Sequence, residues 1–193
     1  MDNQDIRTLK ILEEIENNHA PSQRDMARKL NVSLGLVNSF IKRLARKGYF
    51  KITTIPANRV KYILTPKGVA EKTRLTYEYV TYSLHYYKIT RKKLGRIFND
   101  FSEQGMRRIV FFGFDDLAEI AYVALQETSL ELVAVVDEKK AGTRLWGCPV
   151  IGQNDLASYD FDVLYVTTVG LPVDEAAEML SETDVPRSMI KGI

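Results

Sequence analysis

Residues 22–48 read SQRDMARKLNVSLGLVNSFIKRLARKG, and the spacing of apolar and polar residues in this stretch decides the first part of the fold. Ser22 stands where a helix N-cap is needed, just after Pro21, and Asp25 three residues later can reach back towards it. The helix this predicts runs to about Leu30. Asn31 tolerates the left-handed backbone of a tight turn, and Ser33 caps a further helix that ends at Gly48, the expected residue past a helix C-terminus. Ala27 is the small residue that two steeply crossing helices need at their contact. Met26, Leu30, Val32, Val37, Phe40, Ile41 and Leu44 recur at the spacing of one buried helical face.

That pattern is a helix-turn-helix unit. The other face of its second helix reads Ser33, Leu34, Gly35, Asn38, Ser39, Lys42, Arg43 and Arg46, short hydrogen-bonding groups first and cations later. A helix entering the major groove needs that order, with base-edge contacts near its N-terminus and phosphate contacts along its flank. Ser22 and Gln23, at the start of the preceding helix, complete the candidate DNA-contacting set on that side.

Working outward, Ile6, Leu9, Leu12 and Ile15 form an apolar stripe that predicts a helix over 5–17. After Gly48, the β-rich run Tyr49–Ile55, a Pro-Ala-Asn-Arg turn and Val60–Leu64 predict a hairpin, or wing. Arg59 and Lys61 fall at or near its tip, suited to a minor groove or backbone. SQRDMARKLNVSLGLVNSFIKRLARKGYFKI together with KYILTPKGVAEK resembles the MarR-type winged helix-turn-helix regulators associated with exopolysaccharide biosynthesis loci, over roughly residues 5–95. The resemblance implies sequence-specific transcriptional regulation through double-stranded DNA.

Thr65 and Pro66 open a long helix with no clear stop before Gly105, although Gly95 weakens its interior. Leu75, Tyr79, Tyr82, Tyr86 and Ile89 step by alternating fours and threes, the spacing of a coiled-coil seam, and half of the 10 tyrosines lie between Tyr77 and Tyr87. A seam on a DNA-binding chain predicts a homodimer, because two-fold operators require two-fold proteins. The Arg91, Lys92, Lys93, Arg96 cluster reads as a solvated face.

The charge divides with the pattern. Residues 1–105 carry a net +10 and residues 106–193 a net −8, which predicts separate partners for the two halves. The expected organisation is a winged helix-turn-helix at 1–65, a connecting and dimerisation helix at 66–105, and a sensor or interaction domain at 106–193. In the acidic part, apolar runs at Ile109–Phe112, Leu130–Val136, Val150–Ile151 and Val163–Thr167 and a last strand near Met189 alternate with helices at Leu117–Gln126, from about Asn154, and at Asp174–Leu180. The whole chain is therefore α/β, ending in a doubly wound Rossmann-like parallel sheet of about five strands.

A dinucleotide fingerprint, G-x-G-x-x-G/A, falls on Gly113-Phe114-Asp115-Asp116-Leu117-Ala118, with Asp115 where the middle glycine belongs. A carboxylate there repels a pyrophosphate. Asp137, 24 residues after Gly113, stands where an acidic residue would hold a ribose hydroxyl, and Thr167 and Thr168 would line the same crevice with Gly170. VVDEKKAGTRLWGCPVIGQNDL resembles the N-terminal domains of polysaccharide-biosynthesis proteins, including nucleotide-sugar dehydratases and sugar acetyltransferases. That likeness implies NAD(H) or a nucleotide sugar as ligand, at Gly113, Phe114, Asp115, Asp137, Thr167 and Thr168. The order of parts also resembles the Rex-type redox repressors. No Ser-Tyr-Lys or His constellation is present, so an enzyme is not expected. One cysteine, Cys148, excludes an internal disulfide, and two distant histidines build no metal cage. No apolar run of about 18 residues occurs, and a cytoplasmic protein off the membrane is the expectation.

Overall fold

The computed structural model describes residues 1–17, 21–55 and 59–193. The turn 56–58 and the side chain of Arg59, expected at the tip of the wing, lie outside the described residues. The chain forms two compact units, Met1–His85 and Tyr86–Ile193.

In the first unit, α1 (Asn3–Asn17), α2 (Gln23–Leu30) and α3 (Leu34–Arg46) pack around one core. Leu9, Leu12 and Ile15 of α1, Met26 of α2, and Val37, Phe40, Ile41 and Leu44 of α3 are all buried in it. Ser22 caps α2 by accepting from the Asp25 N–H at 3.1 Å, while its hydroxyl donates to the Asp25 carboxylate at 2.6 Å. Asp25 thus reaches the cap's side chain, and its carboxyl is lowered chiefly by that hydrogen bond. Asn31 takes the left-handed conformation, φ 50°, and closes α2 onto the carbonyls of Ala27 and Arg28. Ser33 caps α3 through the Leu36 N–H, at 3.3 Å.

β1 (Phe50–Ile55) and β2 (Arg59–Leu64) pair antiparallel, Phe50 opposite Leu64 and Ile52 opposite Tyr62. Phe50 and Tyr62 turn inward and meet edge to face. The base of this hairpin is tied to α4 (Pro66–Glu103). Thr65 donates its N–H to the Tyr49 carbonyl at 3.0 Å and its hydroxyl to the Gly48 carbonyl at 2.6 Å, and it accepts from the Gly68 N–H. A β-carbon on Gly68 would sit 1.8 Å from the Tyr49 carbonyl oxygen, so only glycine fits there.

The second unit holds a six-stranded sheet in the order β5-β6-β4-β3-β7-β8, with β3 Arg108–Phe112, β4 Glu131–Val136, β5 Arg144–Leu145, β6 Cys148–Ile151, β7 Val163–Val166 and β8 Ile190–Lys191. All neighbours are parallel except β5 and β6. That antiparallel pair adds a sixth strand to the five expected. Its two-residue turn puts Trp146 at φ 50° and Gly147 at φ 83°, the twin positive angles of a tight hairpin turn. The helix expected from Asn154 is a 3-10 segment, Gln153–Ser158.

Alternate residues of the strands face two cores. Ile109, Phe111, Val135, Val163 and Tyr165 pack with Leu94, Phe98 and Phe101 of α4 and with α5 (Asp116–Leu125). Val110, Phe112, Ala134, Leu164 and Val166 pack with Leu156 and with α6 (Val173–Met179). Covering both faces explains why these strands read as unbroken apolar runs. Among the described residues no helix is long and apolar enough to cross a membrane.

Candidate nucleic-acid interface and the crossover crevice

With Val37, Phe40, Ile41 and Leu44 buried, α3 presents Ser33, Leu34, Gly35, Ser39, Lys42 and Arg46 fully exposed and Asn38 half-buried. Lys42 and Arg46 form no ion pair among the described residues. Arg43 is held differently. Its Nη1 donates to Gln4 Oε1 at 2.7 Å and its guanidinium lies 4.4 Å over the Phe40 ring, which ties α3 to α1. Gln4 carries no local signal of this role, because it stands 39 residues from Arg43. Gln23 donates to the Tyr62 hydroxyl at 3.4 Å, bracing α2 against β2. Ser22 is exposed and engaged in its cap, and Lys61 is half-buried on β2. The structure therefore gathers Ser33–Ser39, Lys42 and Arg46 on one helix face and gives Arg43, Gln23 and Ser22 bracing contacts.

The tentative ligand residues belong to the second unit. Gly113 follows β3 with φ 93°, and a β-carbon there would lie 1.7 Å from Thr168 Oγ1. The fully buried Thr167 donates its hydroxyl to the Gly113 carbonyl at 2.5 Å, and Thr168 donates to the Phe112 carbonyl at 3.4 Å. Asp115 is the N-cap of α5. Its Oδ1 accepts from the Leu117 N–H at 2.9 Å and its Oδ2 from the Val169 N–H at 2.7 Å. One carboxylate thus joins the loop after β3 to the loop after β7 and takes up backbone donors that an incoming anion would need.

Asp137 ends β4, its Oδ1 accepting from the N–H groups of Lys139 and Lys140 at 2.9 and 3.2 Å. Phe114 lies against Trp146, and Lys140 Nζ sits 3.6 Å from the Phe114 ring centroid. Gly113, Asp115, Thr167 and Thr168 are thus brought together, with Phe114 beside the Asp137 turn. Beside Thr168 is a cavity of about 330 Å³, lined by Leu117, Val166, Val169, Leu171, Val173 and Tyr86 among others. A cavity of that size stands at the small end of ligand sites.

On α4, Leu75 is fully buried in the first unit's core. The remaining seam positions Tyr79, Tyr82, Tyr86 and Ile89 are exposed, as are Tyr77, Val80 and Leu84. Arg91 pairs with Glu127, while Lys92, Lys93 and Arg96 face solvent.

Residues 4–51 match the winged helix-turn-helix DNA-binding family, and residues 105–190 match the family described as C2185-like, N-terminal. No curated protein matches the chain. Among solved structures, the chain is similar to the PcaV transcriptional regulator from Streptomyces coelicolor in complex with its natural ligand, at 17% identity and TM-score 0.38, over 41% of this chain and 57% of that one. It is similar to the MepR–DNA complex of S. aureus at 19% identity and TM-score 0.39, over 46% and 63% of the two chains. It is similar to the adhesin competence repressor AdcR from Streptococcus pyogenes at 20% identity and TM-score 0.39, over 48% and 67%. The chain spans about three fifths of the length of the first two structures.

Proposed function

We propose that this chain is a sequence-specific transcriptional regulator of the MarR type that binds duplex DNA as a homodimer and acts on polysaccharide biosynthesis genes. The observation that carries the DNA-binding part is α3, whose apolar stripe is buried while Ser33–Ser39, Lys42 and Arg46 are offered to the outside. The winged helix-turn-helix match over residues 4–51 supports it. The sequence resemblance over 5–95 supports the narrower MarR and exopolysaccharide assignment. Dimerisation is assigned to the exposed tyrosine seam of the helix within 66–105.

The test is binding to duplex DNA across a salt series. Lys42→Ala and Arg46→Ala should each weaken binding to every duplex and lower the salt slope by about one. Unchanged affinity and slope in both would refute the assignment of α3. Sequencing the fragments that the protein retains from genomic DNA tests the target genes.

For residues 106–193 the proposal is a doubly wound, Rossmann-like sensor of a nucleotide or sugar nucleotide. A second reading, a ligand-free interaction module, is favoured by Asp115, both of whose carboxylate oxygens are engaged by backbone N–H groups. Calorimetry with NAD(H) separates them. The wild type should not bind at micromolar concentration, and Asp115→Gly should gain affinity if the crevice is otherwise shaped for a dinucleotide. Tight binding by the wild type would overturn the reading of Asp115; binding by neither form would support the module.

A further inference from the structure

Tyr86 serves two surfaces. It is a member of the α4 seam, and in the second unit it lines the cavity beside Thr168. Two other residues of that lining stand open at its mouth, Val169 at 60% and Ile193 at 56% exposure, beside Tyr86 at 53%. Val169 is fixed there, because its N–H donates to Asp115. A partner lying along the seam must touch Tyr86, and a partner touching Tyr86 meets the mouth of the cavity.

We propose that a second copy of this chain seats on the rim formed by Tyr86, Val169 and Ile193, so that the crossover cavity gains its outer wall only in the dimer. This rests on the homodimer reading above. Area and charge together select a second copy as the occupant. Tyr77, Tyr79, Tyr82 and Tyr86 are exposed by 74, 43, 49 and 53%. At about 200 Å² per ring they leave roughly 400 Å² uncovered, half of the approximately 800 Å² that a standard interface buries on each partner. From Tyr79 to Tyr87 the helix carries no Asp, Glu, Lys or Arg. A self-complementary two-fold contact therefore meets no like-charge repulsion, and a charged partner would find nothing to pair with. A molecule held in the cavity would touch the wall that the second copy supplies, which links its occupancy to dimer affinity.

Sedimentation equilibrium on the full chain tests this. Val169→Asp and Ile193→Asp should each raise the dimer dissociation constant at least tenfold. Met179→Asp, at an apolar position of 48% exposure outside the cavity lining, should leave it unchanged. The two rim substitutions lie on separate segments, so either carries the test if the other fails to fold, as judged by circular dichroism. A wild type that is monomeric at micromolar concentration would overturn the homodimer reading and this inference with it. A dimer that survives both rim substitutions but is lost with Tyr82→Asp and Tyr86→Asp together would overturn the inference alone.

Discussion

The cations of the first unit and the carboxylates of the second are used in opposite ways. Lys42 and Arg46 stand on a helix anchored by its apolar stripe and carry their charge to the outside. Asp115, Asp137 and Asp162 turn theirs onto the chain itself, each accepting from two backbone N–H groups. Charges of the first kind remain available to a polyanion, whereas those of the second kind fasten loops at strand ends. The lesson is that a residue's type in a motif says less about binding than whether its hydrogen-bonding capacity is already taken.

The contrast can be broken at its foundations. Phe98, fully buried, packs 5.1 Å from Tyr165 and 6.2 Å from Phe111 between ring centroids. Phe98→Ala should destabilise the second unit by about 3–5 kcal/mol while leaving DNA affinity unaltered wherever the chain stays folded. Chemical denaturation and a binding titration read the two arms. Lost affinity in a folded variant would show that the DNA face depends on the sheet's core.

Asn38→Ala sharpens the contrast on the other side. It should relax discrimination at one base by about 1–3 kcal/mol with little change in salt slope, measured on a panel of single-base operator variants. A uniform loss across all variants would make Asn38 a backbone contact instead.

Smaller in size is Tyr165→Phe. The buried Tyr165 hydroxyl has no hydrogen-bond partner among the described residues, and burial pushes its phenol well above the ordinary range. Removing an unpaired buried hydroxyl should stabilise the second unit by about 1 kcal/mol, visible as a higher denaturation midpoint.

The smallest effect is titrimetric. Asp162 accepts from the N–H groups of Arg107 and Arg108 at 2.6 and 2.9 Å, which hold its carboxyl below the usual range. Its contribution to stability is complete above the unfolded carboxylate value of about 3.9 and is lost as pH falls through the lower folded value. Stability measured from pH 5 to pH 2 should fall less steeply in Asp162→Asn.

Much of the first unit is legible in the sequence because its signals are local. The caps Ser22 and Ser33, the left-handed Asn31 and the buried positions of α3 all follow from neighbours within one or two helical turns. The strands of the second unit are equally legible as apolar runs. The β5–β6 hairpin is not, since Trp146 is an unusual residue for a turn with positive φ. Leu75 belongs by spacing to the seam, yet the first unit's core claims it. The bond from Asp115 to Val169 spans 54 residues, and the one from Arg43 to Gln4 spans 39. No periodicity reports such pairs; they exist only once the strands and helices have met.

The tight turn after β5 has one more consequence. Trp146 is the chain's single tryptophan, stacked 4.3 Å from the Tyr122 ring and in contact with Phe114. All indole emission therefore originates in the second unit, next to the loops that follow β3 and β4. The molecule carries its own optical gauge: a change in that emission when DNA is added can only be a message that has travelled from the wing to the sheet.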